Sequence, residues 1–298
     1  MPTIIECVPN FSEGRRAEVV DAIVEAMLSS GVKLLDREMD ANHNRAVITV
    51  AGEPGAVEEA AFRGCQRAAQ LIDLDMHRGE HPRIGATDVI PFIPISGVTM
   101  GECVALARRV GERIGRELEI PVYLYERAAT RPERRDLAYI RRGEYEGLAK
   151  DIATDADREP DFGPKRLGKA GATVVGARPF LIAFNVNLAT NDLQIAKEIA
   201  GVVREKGGGL KNVKALGFEL KDRGLVQVSM NLTDFNVTGM LTAFNAVRAE
   251  AEKRGVGVVE SELVGLAPLA SLLQVAASAL KLPQLDARQV FETKLYGE

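Results

Sequence analysis

Apolar residues along this chain recur with two alternating periods, near two in short runs and near 3.6 in longer ones, and so divide it into strands and helices. Thr3–Val8 reads as a strand. Residues 16–30 read as a helix whose Val19, Val20, Ile23, Val24, Met27 and Leu28 share one face, with Gly31 as its stop. Two strands follow, VKLLD from Val32 and RAVITV from Arg45. Pro54 suits the first turn of a helix that runs to about Ile72. The polar stretch Asp75–Asp88 has neither period. DVIPFIPI reads as a strand, but Pro91 and Pro94 cannot donate ladder hydrogen bonds, so it is expected to be an edge or bulged. Thr99 and Glu102 form a capping box for a helix carrying Cys103, Ala107, Val110, Ile114 and Leu118, and VYLY is a further strand. The second half repeats the grammar. FLIAFNVNL is a strand, residues 191–205 a helix ended by Gly207–Gly209, and KALGFEL and VQVSMNLT strands around a turn at Asp222–Gly224. Asp234 is expected to cap a helix carrying Val237, Met240, Leu241, Phe244 and Val247, followed by the strand GVVESEL and two short helices.

Both halves thus begin β-α-β-β-α-β, the split βαβ or ferredoxin-like order. The expected class is α/β (α+β), with two ferredoxin-like subdomains, residues 1–177 and 178–298, each a mixed sheet with helices on its outer face. In the second half Phe180, Ile182, Phe184, Val186 and Leu188 alternate with Asn185 and Asn187, while Val226, Val228, Met230 and Leu232 alternate with Gln227, Ser229 and Asn231. The helices would cover the apolar face and leave the amide-rich one open. A plain solvated face is the alternative, but Asn is depleted in strands, which favours a ligand-facing wall. Glu6, Arg45 and Thr49 would share a similar face in the first half. The two polar faces are expected to oppose each other as a ligand cleft, a substrate tunnel between the sheets.

Composition narrows the chemistry. The chain has 298 residues with a net charge of -4, which argues against a general nucleic-acid binder. No apolar run approaches a membrane span and the N-terminus lacks a secretory pattern, so a cytoplasmic protein is expected. The three cysteines, Cys7, Cys65 and Cys103, show no metal or disulfide spacing and read as buried thiols. The three histidines, His43, His77 and His81, limit where imidazole chemistry can occur.

The densest cluster is His77-Arg-Gly-Glu80-His81-Pro-Arg83-Ile-Gly85-Ala-Thr87-Asp88. Acid–base chemistry, with Glu80 or Asp88 orienting a histidine, ranks ahead of a polar surface loop. A His77/His81 metal site ranks last, because Gly79 and Pro82 oppose the helix that would give this spacing meaning. A second cluster, Gly163-Pro164-Lys165-Arg166-Leu167-Gly168-Lys169-Ala170-Gly171, is a basic glycine-rich loop that either grips carboxylates or links domains. In CVPNFSEGRR, Asn10, Ser12 and Glu13 can cap the following helix. The block Arg131–Arg142 reads as a solvated helix face.

The runs ECVPNFSEG, GEHPRIGATDVIPFIP, PVYLYERAA, PDFGP and GATVVGAR strongly resemble the glutamate formimidoyltransferases, the transferase part of the bifunctional formiminotransferase-cyclodeaminases, over about residues 3–275. The resemblance implies two α/β subdomains, a homodimer, and transfer of a formimino group between N-formimino-L-glutamate and N5 of tetrahydrofolate as co-substrate, in histidine degradation and one-carbon metabolism. No metal is implied. His81, in GEHPR, would be the catalytic histidine, and Gly163–Gly171 the folate-binding loop. Asn10, Asp88, the Ser229 hydroxyl and the amides of Asn185, Asn187, Gln227 and Asn231 would complete the substrate contacts. Arg45, Arg83, Arg178, Lys165, Arg166 and Lys169 would be counter-charges for the substrate carboxylates. The chain carries no cyclodeaminase segment, so a separate cyclodeaminase would act on the product. Formyl transfer from 5-formyltetrahydrofolate to glutamate, a non-catalytic folate-binding protein and a metal hydrolase are the alternatives.

Overall fold

The computed structural model describes residues 2–296. The chain forms two compact units, Met1–Arg178 and Pro179–Glu298. In chain order the first comprises β1 (Ile4–Cys7), β2 (Asn10–Phe11), α1 (Ala17–Leu28), β3 (Lys33–Asp40), β4 (Arg45–Gly52), α2 (Pro54–Leu71), β5 (Thr87–Ser96), α3 (Met100–Glu117), β6 (Val122–Glu126), α4 (Leu137–Arg141), α5 (Glu144–Asp151) and β7 (Thr173–Ala177). β1 and β2 are one line interrupted at Val8–Pro9, since both pair with β4 on one side and β5 on the other. Across the sheet the order is β3, β4, β1 with β2, β5, β7, β6. The first four positions are the ferredoxin-like arrangement, and β7 and β6 extend it through parallel pairings.

Helices α1, α2 and α3 cover one face, where Val20, Ile23 and Met27 meet Ile48, Val50, Phe92 and Val175 in the main core. The capping box at α3 is formed, with Thr99 Oγ1 accepting from the Glu102 N–H and the Glu102 carboxylate accepting from the Thr99 N–H. Cys7, Cys65 and Cys103 are all buried in this core. On the opposite face a smaller core of Val89, Tyr123, Tyr125 and Val174 is capped by Ile140 of α4 and Leu148 of α5. The region expected to be a solvated arginine face therefore packs against the sheet. Arg134 is only 2% exposed and pairs with Asp161 at 2.7 Å. Arg158 is also buried, donating to the Ile140 carbonyl.

β5 is central in the sheet, so the edge expectation fails while the bulge expectation holds. Pro91 lies opposite the Val8–Pro9 interruption, where no ladder donor is needed. Two register shifts mark β5. Ile4 pairs with Ser96 but Ile5 with Pro94, and Asn10 pairs with Val89 but Phe11 with Thr87. Asp88 is the extra residue of the second.

The second unit contains β8 (Ile182–Leu188), α6 (Leu193–Val203), β9 (Val213–Leu220), β10 (Leu225–Leu232), α7 (Met240–Lys253), β11 (Val258–Val264), α8 (Leu269–Leu280) and α9 (Phe291–Tyr296). Its sheet runs β11, β8, β10, β9. Every pairing in it is antiparallel, not mixed as expected, because each β-α-β pair is separated by an intervening strand. Ile182, Phe184, Val186 and Leu188 face α6 and α7 in the core, as the alternation predicts. α7 begins at Met240, not near Asp234. Asp234 instead closes a turn onto Asn236, and Thr238 donates to the Lys211 carbonyl. Both bonds hold residues 234–238 outside the helix, and Val237 stays exposed.

Candidate active site

The loop before β5 is held by backbone contacts, not by regular structure. Asn44, in the β3–β4 turn with φ +50°, is its hub. Its side chain accepts from the Gly14 N–H at 2.9 Å and donates to the Arg78 carbonyl at 3.0 Å, and its own carbonyl accepts from His77. A Cβ on Gly79 would sit 2.3 Å from the His43 carbonyl oxygen, so only glycine lets the loop cross that turn. On the other side Gly85 pairs with Gly171, and Ala172 N–H donates to the Ile84 carbonyl at 2.8 Å. The histidine loop and the end of the Gly163–Gly171 loop are thereby joined through their backbones.

His77 is buried and anchors the loop. Its Nε2 lies 2.9 Å from the Asn44 carbonyl and its Nδ1 accepts from Arg83 Nε at 3.2 Å, which assigns the proton to Nε2. Burial, aided by the Arg83 charge, holds it below the ordinary imidazole value. Arg83 is fully engaged. Its Nη atoms donate to Glu144 and Glu146 of α5 at 2.7–2.9 Å, so this guanidinium clamps α5 to the loop. His43 contacts Asp40 at 2.6 Å across its own turn. No group of three or more His, Cys, Asp and Glu able to hold a metal ion occurs among the described residues.

His81 differs from both. Its side chain is 12% exposed, and its Nε2 is buried without a hydrogen-bond partner among the described residues. That nitrogen lies 3.8 Å from Asp88 Oδ2, within ion-pair reach but beyond a hydrogen bond. Asp88 is 1% exposed. The bulge at Asp88 turns this side chain away from the core face, a familiar use of a bulge beside a functional site. Oδ1 accepts from the Ile84 N–H at 2.8 Å, and Oδ2 from Arg141 of α4. Burial alone would raise the Asp88 carboxyl, but Arg141, His81 and the Ile84 N–H outweigh it and hold it low. Burial pushes His81 below the ordinary imidazole value, with Arg141 and Arg45 acting in the same direction and Asp88 against them. The ring is therefore neutral at pH 7, with a partnerless nitrogen beside a fixed carboxylate. A base of this kind predicts that kcat/KM rises with pH through a midpoint below 6.5. An acid limb centred above 7 in a rate–pH profile would contradict the assignment.

The other expected residues fall in several environments. Ser12 donates to the Gly85 carbonyl at 2.7 Å, and Glu13 accepts from the Arg15 and Arg16 N–H groups just ahead of α1, whose N-cap residue Arg16 makes no side-chain capping bond, so the capping expectation is not met. Asn10 donates to the Val8 carbonyl at 3.2 Å. Arg45 opens β4 on the same loop end, and its buried Nε lacks a partner among the described residues. On the sheet face away from the main core Glu6 is 5% exposed, and burial pushes its carboxyl up to about 7 against the opposing charge of Arg178. In the Gly163–Gly171 loop the cations lie on the surface, each beside a carboxylate: Lys165 with Glu159, Arg166 with Glu119 and Lys169 with Asp73. Pro164 precedes them, Gly168 separates Arg166 from Lys169 along the chain, and Leu167 and Ala170 pack inward. Gly163 and Gly171 adopt φ of +82° and +70°. In the second unit Asn185, Asn187 and Gln227 are buried and not open. Asn185 donates to Glu262, Asn187 to Glu260, and Gln227 to both Asn187 and Glu262, so β11 carboxylates satisfy them along the sheet. Ser229 is half-buried and Asn231 exposed. Arg141 is the site residue that sequence reasoning missed; arginine density in Arg131–Arg142 was its only signal.

Comparison with known proteins fits this geometry. The family model "Formiminotransferase domain, N-terminal subdomain" matches residues 4–178, and "Formiminotransferase domain" matches residues 183–288. The chain is 51% identical over 296 residues to the glutamate formimidoyltransferase of Thermoplasma acidophilum, covering 98% of this chain and 97% of that protein. It is 46% identical over 300 residues to the glutamate formimidoyltransferase of Streptococcus pyogenes serotype M1, covering 100% of both. It is also 48% identical over 285 residues to the formimidoyltransferase-cyclodeaminase of Mus musculus, covering 93% of this chain and 52% of that protein. With both subdomain models matched and relatives aligned over their full length, the chain belongs to the formiminotransferase family.

Proposed function

We propose that this chain is a glutamate formimidoyltransferase, a one-carbon group transferase that moves a formimino group between N-formimino-L-glutamate and N5 of tetrahydrofolate. The observation that carries the reading is the end-to-end similarity to two proteins of that name, together with His81 at the loop end of the first unit, whose buried Nε2 has no hydrogen-bond partner among the described residues.

The reaction needs a group that can both take and return a proton. N5 of tetrahydrofolate attacks the formimino carbon to give a tetrahedral intermediate. As the N5–carbon bond forms, N5 loses a proton, and as the carbon–nitrogen bond to glutamate breaks, that nitrogen gains one. His81 accepts the first proton and delivers the second, which a neutral imidazole beside a fixed carboxylate suits. Asp88 stabilises the imidazolium formed between the two steps. The surface cations Lys165, Arg166 and Lys169 suit an anionic glutamyl tail. Folate contacts, a homodimer and a cytoplasmic role in histidine degradation belong to the same proposal. No helix among the described residues is long and apolar enough to cross a membrane.

A coupled assay with N-formimino-L-glutamate and tetrahydrofolate tests the reading. Catalysed formation of 5-formiminotetrahydrofolate is the expected result. Transfer only from 5-formyltetrahydrofolate to glutamate would replace it by the formyl reaction. Tight folate binding with no transfer in either direction would leave a binding protein.

A further inference from the structure

Arg45 and Arg141 reach the His81 site from different elements, the start of β4 and the end of α4. Their half-buried guanidiniums differ from that of the buried Arg83 in the same loop region. Arg83 spends Nε on His77 and both Nη atoms on Glu144 and Glu146. Arg45 and Arg141 each keep a buried Nε with no acceptor among the described residues. Such a group costs free energy unless an acceptor arrives. The nearby carboxylates are committed elsewhere. Asp88 serves the Ile84 N–H and Arg141 Nη2, and Asp40 serves the His43 ring and the N–H groups of Asn42 and His43. Glu38 also lies in the field of Arg45 and, like Asp40 and Asp88, favours its charge, while Arg141 opposes it. Two half-buried guanidiniums within each other's field, each with a buried donor unused, form a receptor for an anion. A carboxylate is the matching shape, because guanidinium donors pair with its two oxygens.

We infer that Arg45 and Arg141 form a carboxylate subsite beside His81, and that it takes the α-carboxylate of the amino-acid partner. The inference rests on the formimino-transfer reading and deepens it. In N-formimino-L-glutamate the reacting nitrogen is bonded to the carbon that bears the α-carboxylate. A group that protonates this nitrogen therefore stands next to whatever holds that carboxylate, whereas the γ-carboxylate is two methylenes further away. An anion bound there also relieves the repulsion between the two guanidiniums and favours the imidazolium of His81. The proton is thus held more readily once the substrate is in place.

Steady-state kinetics of Arg141→Lys and Arg45→Lys test this, since each keeps the charge and loses the planar fork. The KM for N-formimino-L-glutamate should rise roughly 10–100-fold, while that for tetrahydrofolate stays nearly constant. Wild-type enzyme should discriminate strongly against N-formimino-L-isoglutamine, which carries an amide in place of the α-carboxylate, and both variants should lose most of that discrimination. An unchanged KM with a lowered kcat, an equal rise in the tetrahydrofolate KM, or undiminished discrimination in the variants would overturn the subsite. If Arg141→Lys fails to fold, Arg45→Lys carries the same comparison. If the wild-type protein transfers nothing, the functional reading fails, and the subsite is judged by calorimetry with L-glutamate. Binding weakened tenfold or more in the variants would support it, and equal binding or none would overturn it.

Discussion

His81→Ala should lower turnover by roughly 10²–10⁴-fold, the range for loss of a general acid–base group, while tetrahydrofolate binding stays largely intact. The expectation follows from how little else His81 does. Its Nε2 makes no hydrogen bond among the described residues, whereas His77 ties the loop to Asn44 and Arg83, and His43 closes its own turn onto Asp40. Removing the His81 ring therefore deletes a reactive group without cutting a structural bond. The substitution separates chemistry from architecture in a way that His77→Ala would not. Turnover by the coupled assay and folate affinity by calorimetry check it together. Near-normal turnover in the variant would refute the assignment of His81, and a matching loss of folate affinity would assign it to binding.

Arg134→Ala should destabilise the protein by about 3–5 kcal/mol, the cost of leaving one partner of a buried ion pair alone. Arg134 is 2% exposed, donates to Asp161 at 2.7 Å and lies over the Tyr123 ring at 5.0 Å. Asp161 in turn accepts from the Leu124 N–H at 2.8 Å and from Thr130. Without Arg134 this carboxylate loses its guanidinium partner in a nearly closed site. The melting temperature should fall by roughly 6–20 °C, from about 2–4 °C per kcal/mol for units of this size. The double variant Arg134→Met with Asp161→Asn should recover much of the loss, because it removes the stranded charge and keeps an acceptor for Leu124. A single-variant loss under about 1 kcal/mol would mean that the pair behaves like an exposed surface bridge. Asp161 lies two residues before Gly163, so the same variant tests whether the base of the basic loop depends on this pair.

Most of the architecture was legible because strand and helix periods are written in local spacing. The alternation in β8 and β10 and the single apolar face of α1 needed no knowledge of distant residues. The histidine loop was legible from density alone: a long unpatterned run with two of three histidines. What sequence could not show was where charged residues would be buried. Arg134, Arg141 and Arg158 sit on short helical turns with no apolar stripe of their own, and what packs around them buries Arg134 and Arg158 and half-buries Arg141. The central place of β5 was hidden for a similar reason. Two prolines argue for an edge unless the neighbouring strand happens to be interrupted opposite one of them. The aim of Asp88 depends on a one-residue slip against Asn10 and Phe11, which no period along β5 records. The amides of β8 and β10 pointed to a polar wall, but their carboxylate partners on β11 became visible only when that strand paired with β8.

The three thiols give the molecule an internal clock. Cys7, Cys65 and Cys103 are at most 1% exposed, and burial raises Cys65 and Cys103 to about 11, so the reactive thiolate is scarce in the folded state. All three belong to the first unit, and the second has none. The rate at which a thiol reagent consumes them under native conditions therefore measures how often the first unit opens, with no signal from the second. Wild-type protein, with no engineered label, can thus report whether folate or formiminoglutamate tightens the half that carries His81.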